Sequence, residues 1–235
     1  MKHLIETANL NSLPITEYDR IILDSTTNEI TYRGGVKYEY VDLGLPSGLK
    51  WAKCNIGAET ETDYGDYFQW GSTTPNTKTE CTWANAPFNG GSSHYNETYF
   101  NSVKNTVCPN DILVKEYDAA TQIMGGEWRM PTQPELKELL DNTTNEWVED
   151  YNGSGVNGRK FTSKTDTSKY IFIPAAGYRS VSSFYNQGRA GSFWSSSLYS
   201  GNHRLAFYFD NYLEWVHSYA DEERYKGFVV RGVRK

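Results

Sequence analysis

The histidines are the side chains best suited to metal ligation or general-base chemistry, and their spacing supports neither role. They are His3, His94, His203 and His217. No HExxH, HxH or Cys/His ligand spacing occurs among them, whereas zinc sites usually draw at least two ligands from such short spacings. We therefore predict no metal site and no cofactor in this chain.

The cysteines, Cys54, Cys81 and Cys108, could in principle form disulfides. Their number is odd, so they cannot all pair within one chain, and no CxxC occurs. Free cysteines are usually buried and behave as small apolar side chains. The sequence therefore predicts buried or half-buried free thiols.

Three further patterns have the residue types of functional motifs in the wrong context. Residues 153–158 spell GxGxxG, but a dinucleotide site needs a helix after the glycines, and a strand-like segment follows here. The serines at 195–197 stand near His203 in sequence alone, which does not make a triad. The acidic run at 221–223 is typical of a solvated face, and no carboxylate pair has a glycosidase context. We predict no catalytic residue and no enzymatic activity.

Charge and hydropathy exclude other classes of protein. The chain has 23 Lys and Arg against 29 Asp and Glu, a net charge of −6. Nucleic-acid binders usually carry a basic surface, so we predict no nucleic-acid partner. The apolar runs are far shorter than the ~20 residues of a membrane helix, so we predict no membrane insertion. Aromatic residues make up 15% of the 235 residues and predict a folded, aromatic-rich core.

The elements that position these residues divide the chain into two parts. Within residues 1–37, the strand-like runs Arg20–Asp24 and Glu29–Arg33 flank a Ser, Thr and Asn turn, which predicts a β-hairpin. A hairpin of this size is marginally stable alone, so we predict an attachment or oligomerisation element. Residues 38–235 are predicted to form the ligand-binding domain.

Two helices are predicted early in this domain. Apolar residues at helical spacing predict the first over residues 111–124, ended by Gly125 and Gly126. A capping box formed by Thr132 and Glu135 predicts the second, with Leu136 on its buried side. Residues 39–110 lack periodicity and are predicted to form short strands and long loops.

From residue 159 onward the pattern is typical of strands. Glycines punctuate short segments, and Leu205, Phe207 and Phe209 alternate with Ala206, Tyr208 and Asp210 as in a half-buried strand. Two helices early and many short antiparallel strands late predict an α+β domain with long loops.

Several motifs follow one another along the main domain. They occupy residues 40–52, 54–58, 65–71, 128–132, 173–179, 193–197 and 227–234. In this order they resemble the Fibrobacter succinogenes major paralogous domain, which is common in Bacteroidetes and their phages. The resemblance covers residues 38–234 and implies a C-type-lectin-like fold, with the two helices and Trp51, Trp70, Trp128 and Trp194 as scaffold.

The chain departs from the enzymatic and calcium-binding branches of that broader fold. Sulfatase-activating oxidases resemble it but carry paired cysteines near the C-terminal end, and here no cysteine follows Cys108. The Glu-Pro-Asn, Gln-Pro-Asp and Trp-Asn-Asp triplets of calcium-dependent sugar lectins are also missing. The resemblance therefore implies binding without thiol chemistry.

Some proteins of this kind are variable targets of diversity-generating retroelements. Adenine mutagenesis there converts Asn codons into a restricted set of types that includes Tyr, Asp, His, Ser and Ala. Between residues 185 and 225 such types alternate with fixed-looking segments. Four residues cannot come from Asn codons, so they are either fixed or an argument against diversification: Glu214, Trp215, Glu222 and Glu223. The resemblance implies ligand-binding positions at Tyr185, Ala190, Ser192, Tyr199, His203, Ala206, Tyr208, Asp210, Tyr212, His217 and Tyr219.

The expected function is non-enzymatic binding of a cell-surface protein or glycan receptor. Outward Tyr, His, Asp and Asn residues have the composition of an antibody paratope. No signal peptide is visible, which favours a phage virion or tail surface over a bacterial cell surface. Two alternatives stay open: an undiversified Bacteroidetes adhesin or structural module, and a carbohydrate-active enzyme.

Overall fold

The computed structural model of the protein describes residues 20–24, 29–33, 38–212 and 215–235, with the backbone alone for the first two ranges and for Tyr219. The chain divides into two units, residues 1–37 and 38–235. In the first unit, strands β1 (Arg20–Asp24) and β2 (Glu29–Arg33) pair antiparallel, as the sequence predicts. The predicted turn between them, residues 25–28, lies outside the described residues.

The second unit is α+β and is built mainly from antiparallel strands. They are β3 (Tyr40–Asp42), β4 (Lys50–Ala52), β5 (Tyr67–Gln69), β6 (Thr143–Val148), β7 (Gly158–Ser163), β8 (Tyr170–Pro174), β9 (Tyr178–Ser180), β10 (Ser183–Tyr185), β11 (Phe193–Leu198), β12 (Leu205–Asn211), β13 (Val216–Glu223), β14 (Gly227–Val229) and β15 (Val233–Arg234). The largest sheet has the order β10-β9-β14-β11-β12-β13, with β5 also paired to β14. Two smaller sheets have the orders β15-β4-β3 and β6-β7-β8.

Helix α1 (Glu97–Val107) was not predicted from the sequence. It begins at Asn96, whose side-chain oxygen accepts the backbone N–H of Tyr99 at 3.0 Å. Phe100 and Val107 are buried on one side of the helix. Their separation of seven residues is a helical spacing, but the intervening Asn, Ser and Thr residues have weak helix propensity and mask it.

Helix α2 (Ala119–Met124) is shorter than the predicted helix over residues 111–124, so that prediction was wrong in extent. Asp118 accepts the N–H of Thr121 at 2.9 Å and begins the helix there. Ile112, upstream, is extended and forms a bridge with Ser197. Gly125 ends the helix at φ +70°, as predicted.

Helix α3 (Gln133–Asn142) confirms the capping-box prediction. The carboxylate of Glu135 accepts the N–H of Thr132 at 2.8 Å, and Leu136 and Leu139 are buried. The GxGxxG segment connects β6 to β7 and is followed by a strand, which confirms that it is a loop. No described helix combines the length and the apolar character that crossing a bilayer requires.

The large sheet is covered on both of its faces. Consecutive residues of a strand point to opposite faces, and Phe193 and Trp194 on β11 belong to two different apolar clusters. The same holds for Phe228 and Val229 on β14. The four tryptophans predicted as scaffold are all buried: Trp51, Trp70, Trp128 and Trp194.

Because the large sheet is covered on both faces, the predicted alternation of buried and exposed residues along β12 was wrong. Leu205 and Phe207 are only half-buried, whereas Ala206 is fully buried in the same cluster as Trp194. Phe209 is buried in the opposite cluster. The strand therefore has no single core side, and sequence alternation alone could not assign one.

The serines at 195–197 form an irregularity in β11 that joins the sheet to α3. Three residues of β11 lie opposite the single residue Phe207, because Trp194 pairs with Tyr208 and Leu198 pairs with Ala206. The hydroxyl of Ser195 donates to the carbonyl of Phe207 at 2.7 Å. The hydroxyl of Ser197 accepts the N–H of Gln133 at 3.0 Å. These contacts give the serines structural partners.

Arg231 lies between β14 and β15 and joins distant segments of the chain. Its Nε donates to Asn55 Oδ1 at 2.8 Å, and its Nη1 donates to the carbonyls of Ala52 and Lys53 at 2.9 and 2.5 Å. Its Nη2 donates to the carbonyl of Phe172 on β8 at 3.1 Å. Burial lowers the pKa of the guanidinium to about 10, so it stays charged at neutral pH.

We expect Arg231→Met to destabilise the domain by at least about 3 kcal/mol, because it leaves several buried acceptors without a donor. The matched control is Arg204→Met, which removes an exposed guanidinium paired with Glu223 and should cost about 1 kcal/mol or less. Urea unfolding of both variants measures the difference. Equal losses in the two variants would contradict the prediction.

Candidate functional site

Side chains from two pairs of strands on either side of β14 and β11 form a polar aromatic surface, which we call the tyrosine face. It comprises Tyr178, Tyr185, Tyr208, Tyr212, Trp215 and His217. Strands β9, β10, β12 and β13 carry most of these residues, and the irregular segments beside Tyr212 and Trp215 complete the face. Tyr185 and Trp215 are 46% and 44% exposed, which is unusual for large aromatic side chains in this chain.

One end of the tyrosine face is a stack of rings. The rings of Tyr178 and Tyr185 stack at 5.3 Å between centroids, and the ammonium of Lys226 lies 5.0 Å from the Tyr178 ring. Lys226 also forms an ion pair with Glu222 at 2.8 Å. This end therefore presents both flat apolar surface and charge.

The other end is organised around Tyr212. The side-chain amide of Asn186 donates to its hydroxyl at 2.6 Å, which connects it to the segment after Tyr185. The rings of Tyr212 and Trp215 lie 5.0 Å apart, and Trp215 and His217 are stacked at 6.4 Å. Burial raises the pKa of Tyr212, and the nearby Asp210 acts in the same direction. The tyrosine therefore stays a neutral hydrogen-bonding group.

A bulge on β13 brings His217 to the same face as Asp210. Ser218 and Tyr219 together lie opposite Phe209, since Tyr208 pairs with Ala220 and Asp210 pairs with His217. A regular ladder would set Ser218 opposite Asp210 and turn His217 to the other face.

Asp210 is a buried carboxylate beneath this surface and is only 8% exposed. The hydroxyl of Ser192 donates to it at 3.2 Å. Burial raises the pKa of Asp210, and the Ser192 hydrogen bond and the nearby His217 offset only part of that effect.

The eleven positions nominated from the sequence do not form one surface. Tyr185 and His217 are exposed, and Tyr208 and Tyr212 are half-buried within the tyrosine face. Tyr199 and His203 are half-buried elsewhere: Tyr199 contacts Phe207, and His203 contacts Asn101 on α1. The side chain of Tyr219 lies outside the described residues.

Four of the nominated positions are buried, and for these the expectation of an outward side chain was wrong. Ala190 and Ala206 are 1% and 0% exposed and have no surface to offer a ligand. Ser192 is 2% exposed and bonds to Asp210, which is itself buried. For Ala206, burial follows from cover on both faces of the large sheet, which residue type does not reveal.

An open pocket of 420 Å³ adjoins the tyrosine face, and sequence reasoning missed most of it. It is lined by Trp147, Glu149, Asn157, Gly188, Arg189, Tyr212 and Trp215. We call it the tryptophan pocket. Trp147 and Trp215 stand in polar segments of the sequence, and that context is a signal for tryptophans outside the core.

The described residues give no sign of a metal centre. No group of three or more His, Cys, Asp or Glu side chains in this part of the chain could hold a metal ion. The three cysteines are free, as predicted, and burial raises the pKa of Cys81 and of Cys108 to about 11. Both thiols are therefore protonated at neutral pH.

Comparisons of the chain with models of protein families, with curated proteins and with solved structures gave no match.

We expect Asp210→Asn to stabilise the protein at about pH 7 by roughly 2–4 °C in Tm. A raised pKa contributes stability that is present below the unfolded pKa and lost as the pH rises through the folded pKa. The gain should therefore vanish near about pH 3, where both states are protonated.

Thermal melts across this pH range measure the effect. The matched control is Asp221→Asn, which removes the same charge from an exposed position of β13. A lower Tm for Asp210→Asn at neutral pH would show that the charged form is favoured in the folded protein.

Proposed function

We propose that the protein is a non-enzymatic binder that presents the tyrosine face to a cell-surface protein or glycan receptor. The observation that carries this proposal is the concentration of exposed and half-buried Tyr, Trp and His side chains over a fully packed sheet. Tyr and Trp provide large amphipathic contact area at a low entropy cost, and small polar residues add hydrogen bonds.

We also propose that the scaffold is C-type-lectin-like and related to the Fibrobacter succinogenes major paralogous domain. The motif residues that suggested this resemblance support a scaffold role, because Trp51, Trp70, Trp128, Trp194 and Arg231 are all buried. The first unit, residues 1–37, would serve attachment to a virion or oligomerisation.

Retroelement diversification is a further part of this proposal, and burial restricts it. Replacing Ala206 in a packed core by a larger or charged residue would be destabilising, so a buried position must stay constant. Diversification would then be confined to Tyr185, Tyr199, His203, Tyr208, Tyr212 and His217. Tyr219, whose side chain lies outside the described residues, stays among the positions nominated from the sequence.

An undiversified bacterial surface adhesin is the second candidate function. The burial of Ala190, Ser192, Ala206 and Asp210 favours it, since four of the nominated variable positions cannot vary freely. A phage tail or virion protein and a bacterial surface protein would otherwise use the tyrosine face in the same way.

Sequencing the DNA downstream of the gene separates the two candidates. A diversified binder predicts a near-copy of the codons for residues 185–234 that differs only at adenines and lies beside a reverse transcriptase gene. We expect this copy to differ from the gene at the codons of Tyr185 and Tyr212 but not at the codon of Ala206. If the DNA downstream of the gene holds no such repeat, the undiversified adhesin is the remaining candidate.

Binding itself is tested with the fluorescently labelled full chain on a panel of intact Bacteroidetes cells. We expect the double variant Tyr185→Ala/Tyr212→Ala to lose at least about tenfold in affinity, because aromatic anchors dominate binding energies. Its Tm should fall by only a few degrees, since Tyr185 is exposed and Tyr212 is half-buried. Tyr208 is left unchanged, because it packs 4.8 Å from Phe228 and its loss would disturb the core.

The matched control is Tyr99→Ala, which removes a tyrosine that is 43% exposed on α1. Unchanged binding by the double variant, or equal losses in both variants, would count against a receptor site on the tyrosine face. Hydrolysis of intact polysaccharides by the wild-type chain would instead favour a carbohydrate-active enzyme.

A further inference from the structure

The seven tryptophans of the chain fall into two groups. Trp51, Trp70, Trp83, Trp128 and Trp194 are all buried. Trp147 is half-buried and Trp215 is 44% exposed, and both line the tryptophan pocket. Contiguous exposed apolar surface often marks a binding site, so the meeting of these two indole rings in one pocket indicates a ligand.

The rim of the tryptophan pocket carries one charge of each sign. Glu149 and Arg189 are both exposed and both line it. A charged ligand of either sign would be attracted by one of these groups and repelled by the other, so the rim has no net preference for an ion. The pair therefore favours a neutral ligand whose polar groups can both donate and accept hydrogen bonds.

Arg159 on β7 connects two segments that contribute lining residues to the pocket, Trp147 on β6 and Tyr212 after β12. Its Nε donates to Asn211 Oδ1 at 2.5 Å, its Nη1 to Asn145 Oδ1 at 2.8 Å and its Nη2 to the carbonyl of Tyr212 at 2.5 Å. Its guanidinium also lies 5.9 Å from the Trp147 ring. One buried side chain thus connects an asparagine side chain of β6 and one of β12 to the backbone of Tyr212.

A second connection fixes the opposite wall. The side-chain amide of Asn157 donates to the carbonyl of Gly188 at 3.2 Å, and its oxygen accepts the N–H of Asp150 at 3.1 Å. The β6–β7 hairpin and the loop that carries Arg189 are therefore joined. A site built in this way is pre-organised, so little ordering entropy is lost when a ligand binds.

We propose that the tryptophan pocket binds a neutral saccharide. The flat C–H faces of a sugar ring pack on the Trp215 and Trp147 rings, and its hydroxyls bond to Glu149 and Arg189. The volume of 420 Å³ falls within the range of roughly 300–1,000 Å³ typical of small-molecule sites. This inference rests on the proposed receptor-binding function and names the ligand class of one part of that surface.

A peptide is the less suitable occupant. An apolar peptide side chain is best accommodated by a more enclosed apolar pocket, whereas this one is open and has a charged rim. Glu149 is the one carboxylate among the described residues that line it, and retaining or inverting hydrolysis requires two. The pocket is therefore suited to binding a saccharide intact.

The test titrates the full chain with neutral cello-, xylo-, manno- and chito-oligosaccharides, followed by calorimetry and by the intrinsic tryptophan fluorescence. We expect at least one of them to bind with a dissociation constant below millimolar and to shift the fluorescence. Trp215→Ala and Trp147→Ala should each weaken that binding about tenfold, because loss of a stacked ring costs about that much. Tyr185→Ala, on the tyrosine face but outside the pocket, is the matched control and should leave saccharide affinity unchanged.

Charge variants test the class of ligand. Glu149→Gln keeps a hydrogen-bond acceptor, so affinity for a neutral sugar should change by less than about threefold. Tighter binding of sialylated or sulfated oligosaccharides than of every neutral one would overturn the proposal. Failure of all the neutral oligosaccharides to bind below millimolar would also overturn it.

Cell binding distinguishes failure of this inference from failure of the proposed function. If cell binding requires Tyr185 and Tyr212 but is unaffected by Trp215→Ala and Trp147→Ala, the receptor function stands and the saccharide pocket does not. If binding depends on Trp215 and is abolished by protease but not by periodate oxidation of the cells, the pocket takes a protein and the proposal is wrong. Loss of cell binding after periodate treatment supports a saccharide as the ligand of the pocket.

Discussion

The buried guanidinium of Arg231 is the constraint on which the rest of the domain depends. Removing a charge from water costs several kcal/mol unless its donors are satisfied, and here four oxygen atoms accept from it. Those oxygens belong to the 52–55 segment and to β8, which the chain separates by more than a hundred residues. Satisfying one side chain therefore connects the segment after β14 to β4 in one of the smaller sheets and to β8 in the other.

Arg224, just before β14, is a second buried guanidinium, and aromatic rings surround it in place of most of the oxygen acceptors. Its guanidinium lies 4.0 Å from the Phe100 ring, and the rings of Trp70, Trp83 and Tyr95 surround it at 5.7 Å. Its Nε also donates to the carbonyl of His203 at 2.7 Å. The aromatic faces supply negative potential in place of a carboxylate. With β14 held at both ends, β9, β10, β12 and β13 extend from a fixed centre and can carry a pre-organised surface.

Features set by local chemistry could be predicted from the sequence. The capping box of Thr132 and Glu135, the glycine stop at Gly125 and the strand pair β1–β2 each depend on a few neighbouring residues. Helix α1 and the start of α2 depend instead on side-chain caps at Asn96 and Asp118. These residue types are as frequent in turns as at helix ends, so the sequence alone left both helices ambiguous.

The candidate site was harder to predict, because an aromatic or small side chain has no fixed place in a sheet covered on both faces. Tyr208 and Tyr212 both lie along β12 or just beyond it, yet Tyr208 packs on Phe228 while Tyr212 bonds to Asn186 and borders the tryptophan pocket. Their neighbours come from distant parts of the chain. The same long-range cover buries Ala206, so a list built on residue type mixed scaffold with surface.

This distribution limits how such a protein can change its specificity. A substitution at Tyr185 or His217 changes an exposed side chain, whereas one at Ala206 or Asp210 must first be accommodated by the core. Of the residues that line the tryptophan pocket, Tyr212 is a nominated position, whereas Trp147 and Arg189 are not. If the tyrosine face binds a receptor as proposed, variation at Tyr212 would therefore change one side of the pocket, while the side formed by Trp147, next to Arg159, would stay constant.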